Sequence, residues 1–210
     1  MGYLSFTSHA ILFLSLFPFL INKIEIGKEK KIFICFIAFT SLSEIFSQTT
    51  TMFRINNIGI THVYYLIEFI FYFLFLYKCE NRFKRYWLIS GIVVGVYILI
   101  DNFYLTPFNE FAISSASLQN FFLFIFSARQ IIVITTKNFV PFYRDDRFYI
   151  AGGIFIYTSI TALMFLLYNF FSVMLPFYIV NSSIICLNLF FTGSMVLYYK
   201  QRKMLTEALK

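Results

Sequence analysis

The segment Thr61-His62-Val63-Tyr64-Tyr65-Leu66-Ile67-Glu68-Phe69-Ile70-Phe71-Tyr72 decides how the chain is read. It lies inside an apolar run long enough to cross a bilayer, yet it carries a carboxylate near the middle. An acid at that depth is costly, so it faces the interior of a helix bundle or a wet cavity rather than lipid. The surrounding composition agrees. Of 210 residues, 60% are hydrophobic and 13% charged, roughly half the charged share of a soluble domain. Too few polar residues remain for a water-facing surface. The expected class is therefore an all-α polytopic membrane protein. Runs of about twenty continuously apolar residues exclude a transmembrane barrel, whose strands alternate in polarity over about ten.

Seven such runs are expected to span, at 3–21, 32–53, 57–77, 86–105, 112–134, 148–168 and 177–199, with 200–210 as a short basic tail. The first basic residue is Lys23. The first run thus lacks the charged leader of a cleavable signal, and the mature chain is expected to keep it. Basic residues set the orientation. Lys23, Lys28, Lys30 and Lys31 follow run 1, and Lys78, Arg82, Lys84 and Arg85 follow run 3. Arg129, Lys137, Arg144 and Arg147 follow or end run 5, and Lys200, Arg202, Lys203 and Lys210 follow run 7. Sixteen of the 17 lysines and arginines then share one side, leaving Arg54 alone on the other. The positive-inside rule puts the N-terminus outside and the C-terminus in the cytoplasm, in the inner (plasma) membrane. The net charge of +7 is accounted for by this asymmetry and implies no nucleic-acid partner. Tyr77, Tyr86, Trp87, Tyr143, Tyr149, Tyr198 and Tyr199 flank the same basic loops, as expected of an interfacial aromatic belt.

Polar residues recur at helical spacing inside the runs. Run 2 carries Ser41, Glu44, Gln48 and Thr51, and run 3 carries Thr61, Tyr65, Glu68 and Tyr72. Run 5 contributes Gln119 and Asn120, run 6 Tyr157, Thr161 and Tyr168, and run 7 Asn181, Asn188 and Thr192. At about 1.5 Å per residue, Glu68 lies roughly 16 Å and Glu44 roughly 13 Å below the outer surface. The expectation is a polar pocket between runs 2, 3, 5, 6 and 7, serving as a ligand or proton site. Its candidate residues are Glu44, Glu68, Gln48, Tyr65, Tyr72, Asn188, Gln119, Asn120 and His62. Facing carboxylates at one depth would share a proton or hold a cation. Taken singly, most of these groups are equally explained as hydrogen-bonding glue between helices or as packed tyrosines. His62, on another face, reads as readily as a satisfied interfacial histidine. Asp101 and Asn102, near the outer end of run 4, are expected to reach water or to pair with Arg54.

Several chemistries lack their residues. No lysine lies in a helix core for a retinal Schiff base, and the two histidines do not form H-x-x-x-H. G-x-S-x-G, Walker A and G-x-G-x-x-G patterns are missing. Cys35, Cys79 and Cys186 form no C-x-x-C and read as packing or loop residues. No metal or cofactor is expected. With its seven runs, basic inner face and Tyr64-Tyr65-Leu66-Ile67-Glu68-Phe69 segment, the chain resembles the seven-helix sensor halves of bacterial histidine kinases. That resemblance implies a non-enzymatic receptor or accessory module, taking a small or lipid-soluble ligand and docking a cytoplasmic protein at the basic loops. The competing readings are a proton- or cation-coupled transporter or channel using Glu68, and an intramembrane lipid-modifying enzyme using Glu44 and Glu68.

Overall fold

The computed structural model describes residues 28–53, 58–80, 82–137, 141–171 and 177–208. Among them every regular element is helical: α1 (Lys28–Met52), α2 (Ile58–Cys79), α3 (Lys84–Ile100), α4 (Ile113–Lys137), α5 (Asp146–Phe171) and α6 (Phe177–Ala208). These correspond to runs 2 to 7. Run 1 and Arg54 lie outside the described residues, and within α1 so do the side chains of Glu44, Gln48 and Thr51.

Among the described residues five helices are long and apolar enough to cross a membrane: α2, α3 with the turn that follows it, α4, α5 and the 182–201 part of α6. The α1 helix is 25 residues long, but its apolar stretch is only Phe33–Ser47. The membrane assignment also rests on an inverted distribution of polarity. Glu68, Gln119, Asn120, Asn102 and Asn188 are buried, whereas α3 exposes Ile89, Ile92, Val93 and Val96. Only 28% of the α3 span is buried, and an outward face of that composition belongs against lipid, not water.

Contacts between the α2–α3 turn, α4, the 141–147 segment and α6 gather at one end of the bundle. There Arg129 reaches Glu80 (3.4 Å), Gln201 donates to the Arg144 carbonyl (2.8 Å), and Asp145 pairs with Arg147 (2.6 Å). The Asp145–Arg147 pair neutralises charge within the 141–147 segment. The core near this end is aromatic, with Trp87 of α3 stacked on Phe126 of α4 at 4.1 Å. Trp87 is thus a packing residue as well as an interfacial one. Helices α5 and α6 approach closely at Gly153, where a Cβ would stand 2.9 Å from the Cβ of Phe190. That atom is fixed to the α6 backbone, so any side chain at 153 would push the two helices apart.

Run 4 does not remain α-helical to its end. After Ile100 it widens into a π-helical turn, Asp101–Leu105, in which the Thr106 N–H donates to the Asp101 carbonyl (2.9 Å). Such wide turns redirect side chains, and this one turns Asp101 and Asn102 inward.

Candidate functional site

The site begins with α2. Residues 64, 65, 68 and 72 are three or four apart and therefore share one helical face. That face borders a cavity of about 300 Å³. The opposing walls come from α1 (Thr40, Ser43 and Ser47), α4 (Asn120), α5 (Tyr157 and Thr161) and α6 (Asn188), with Phe36, Phe165 and Phe191 filling the gaps. Helix α3 contributes nothing and packs on the outside of α2 and α4.

Glu68 is 1% exposed. Its Oε1 faces the Tyr64 hydroxyl at 3.5 Å and its Oε2 the Gln119 amide at 3.4 Å, both at the long limit of hydrogen bonding. Tyr72 and Tyr157 direct their hydroxyls at the same carboxylate, and Tyr65 is close enough to feel its charge. Across the cavity Thr161 donates to Asn120 Oδ1 (2.8 Å), and Asn120 donates to the Ala116 carbonyl (2.8 Å). Asn120 is therefore occupied in joining α4 to α5. Gln119 lies just behind the wall. Its Nε2 faces Glu68, while its Oε1 has no partner among the described residues.

Among the described lining residues Glu68 is the only carboxylate, and none is lysine, arginine or histidine. A second, apolar cavity of about 150 Å³ adjoins the first toward the basic end. The two share Phe36, Tyr72 and Phe191. The Tyr72 ring stands edge-on to Phe36 (5.1 Å) and to Phe191 (6.3 Å), so these three rings form a septum between the cavities. The inner cavity is lined by Phe33, Phe75, Ile150 and Ile154, and Lys78 lies at its margin.

No family model, curated protein or solved structure matches this chain. The chemistry of the site must be argued from its own residues.

Of the residues expected to form a site, Glu68, Tyr65, Tyr72, Asn120 and Asn188 line the cavity and Gln119 touches it through Glu68. The side chains of Glu44 and Gln48 lie outside the described set, and with them the carboxylate pair. His62 is elsewhere. Six residues from Glu68 it projects from a different face, where its Nε2 donates to the Glu110 carbonyl (2.9 Å) and its ring packs on Phe108. A carbonyl only accepts, so Nε2 carries the proton and Nδ1 is the unpartnered nitrogen among the described residues. Asn102 donates to the His62 carbonyl (3.0 Å) and accepts from Ser115 Oγ (2.8 Å). Asp101 accepts from the Ser115 backbone N–H (2.9 Å) and from Thr106 (3.1 Å). Of the two expectations for Asp101 and Asn102, exposure to water is corrected, since both are buried and tie the π-helical turn to α2 and α4; the alternative partner, Arg54, lies outside the described residues.

Two groups escaped the sequence reading. Tyr64 stands one helical turn before Glu68, a spacing that could have identified it. Glu80, fully buried, accepts from the backbone N–H groups of Arg82 (2.9 Å) and Phe83 (3.3 Å) and from Gln130 (3.1 Å), and pairs with Arg129. It sits fifty residues from its α4 partners, and nothing local announces the contact. Burial alone would push the Glu80 carboxyl up. The Phe83 and Arg82 N–H groups, Gln130 and the Arg129 charge outweigh it and hold the group below the usual range.

Proposed function

We propose that the chain is a non-enzymatic receptor or accessory module of seven spans in the inner (plasma) membrane. In this reading its N-terminus is outside, its basic end faces the cytoplasm, and it is akin to the sensor halves of bacterial kinases. It holds a small ligand in the Glu68 cavity and conveys occupancy to a cytoplasmic partner. The observation that carries the reading is a buried carboxylate on a cavity walled by five helices, with no basic residue among the described lining. Because every wall is a different helix, an occupant touches most of the bundle at once. The Tyr72 septum gives it a route toward the basic end. The test is gentle extraction of the full chain followed by native mass spectrometry. The wild-type chain is expected to retain a small molecule and a co-purifying protein, and Glu68→Gln to lose the small molecule. Equal retention by the variant would sink the reading.

The stacked cavities favour one second reading, a proton- or cation-coupled carrier with Tyr72 as the internal barrier. Proteoliposome flux that is indifferent to Glu68→Gln removes it.

A further inference from the structure

The geometry points to a lipophilic organic cation, an ammonium group carrying an alkyl or aryl body, as the occupant of the Glu68 cavity. This inference rests on the ligand-binding reading above and names its chemistry.

Charge argues first. Tyr64, Gln119, Tyr72 and Tyr157 surround Glu68 with neutral donors. None of these donors carries a positive charge, and the described lining holds no Lys, Arg or His. An ionised Glu68 would therefore find its counter-charge in a cation entering the cavity, whereas an anion would be repelled by it. A metal ion fits poorly. No group of three or more His, Cys, Asp or Glu able to hold one occurs among the described residues, and a cavity of about 300 Å³ is far larger than a coordination sphere. A proton alone would require neither the space nor the rings.

The rings argue next. Tyr72 and Tyr157 stand edge to face with centroids 6.4 Å apart, and Phe36, Tyr65 and Phe191 complete an aromatic lining around the acid. Aromatic faces carry negative quadrupole density and attract ammonium groups, most strongly where water is excluded. Past the septum, the apolar inner cavity of about 150 Å³ supplies room for a hydrocarbon body. Head and tail therefore each have a matching compartment, with Tyr72 at the junction.

The test uses the full chain in nanodiscs of zwitterionic lipid, with protein-free discs as background and calorimetry as the readout. The probes are hexyltrimethylammonium, its uncharged tert-butyl isostere, tetramethylammonium and hexanesulfonate. Hexyltrimethylammonium is expected to bind saturably and the isostere more weakly by on the order of 10-fold. Tetramethylammonium, lacking a tail, falls between them, and the sulfonate does not bind. Glu68→Gln should lower the affinity for the cation at least roughly tenfold while leaving the isostere unchanged. Tyr157→Leu, which removes a ring but no charge, serves if that variant fails to fold. It should weaken the cation by about 3- to 10-fold, and Tyr157→Phe should restore most of the loss. An isostere as tight as the cation, or a cation indifferent to both substitutions, overturns the proposal and leaves the ligand-binding reading in place. Equal binding of the two cations overturns the role of the inner cavity. No probe binding above protein-free discs overturns the proposal, and the ligand-binding reading then stands or falls on the native mass spectrometry of the full chain.

Discussion

Asp101 shows how a single side chain is spent inside an apolar bundle. Its two carboxylate oxygens accept from the buried Ser115 N–H in the first turn of α4 and from the hydroxyl of the half-buried Thr106. Removing the acceptor leaves the backbone N–H buried and unpaired. Asp101→Ala is therefore expected to lower stability by about 2 kcal/mol. Asp101→Asn keeps one oxygen for Ser115 and can turn its amide toward the Thr106 oxygen, so it should cost less than about 1 kcal/mol. Thermal unfolding of the detergent-solubilised chain separates the two, and equal losses would show that charge rather than hydrogen bonding matters at this position. The contrast with Glu68 is instructive. Asp101 has two well-placed donors at 2.9 and 3.1 Å and lines neither cavity, whereas Glu68 has long contacts of 3.4 and 3.5 Å, the hydroxyls of Tyr72 and Tyr157, and an adjoining void. The first carboxylate completes the fold, and the second faces space that a ligand can fill.

At the scale of elements, Glu80 joins the α2–α3 turn to α4, and its contacts predict a pH response. Because Arg82, Phe83, Gln130 and Arg129 hold the folded carboxyl below its ordinary value of 4.5, the stabilisation is fully present above that value. It is lost as pH falls through the lower, folded-state value. Unfolding midpoints of the wild-type chain should thus fall on acidification below about pH 4.5. Glu80→Gln should flatten that decline, and Glu80→Ala should cost about 3 kcal/mol at neutral pH by leaving Arg129 without its partner. An acid limb of unchanged slope in Glu80→Gln would refute the assignment. The same residue marks what sequence can reveal about elements. The apolar runs were legible because helical periodicity is local, so α2, α4 and α5 fall within a few residues of the runs that announced them, whereas α6 continues to Ala208, through most of the expected basic tail. The contact of Glu80 with Gln130, the inward turn of Asp101 and the septum around Tyr72 depend on which helices are neighbours, and no local pattern records that. The face of α2 bearing Tyr65, Glu68 and Tyr72 was readable, but the length of the cavity and its division in two were not.

For the whole molecule the governing feature is the gathering of basic residues at one end, and it makes orientation testable without any ligand. Sequence assigns sixteen of 17 lysines and arginines to one side; in the structure Arg82 and Arg129 both contact Glu80, and Gln201, flanked by Lys200 and Arg202, donates to the Arg144 carbonyl. The proposed orientation, with that end in the cytoplasm, follows from electrostatic retention of basic loops. Two exposed positions on α3 and its π-helical extension report on it directly. Tyr86, near the basic end, is 73% exposed, and Tyr104, at the other, is 85% exposed. In a background with Cys35, Cys79 and Cys186 replaced by alanine, Tyr104→Cys should react with a membrane-impermeant maleimide in spheroplasts. Tyr86→Cys should react only after the membrane is opened. Because a single helix links the two positions, reaction of both in sealed cells would mean that α3 does not span. Reaction of Tyr86→Cys alone would invert the topology, turning the basic end away from any cytoplasmic partner. The Glu68 cavity would survive that inversion, since it depends only on how the helices pack, but the direction in which its occupancy is conveyed would not.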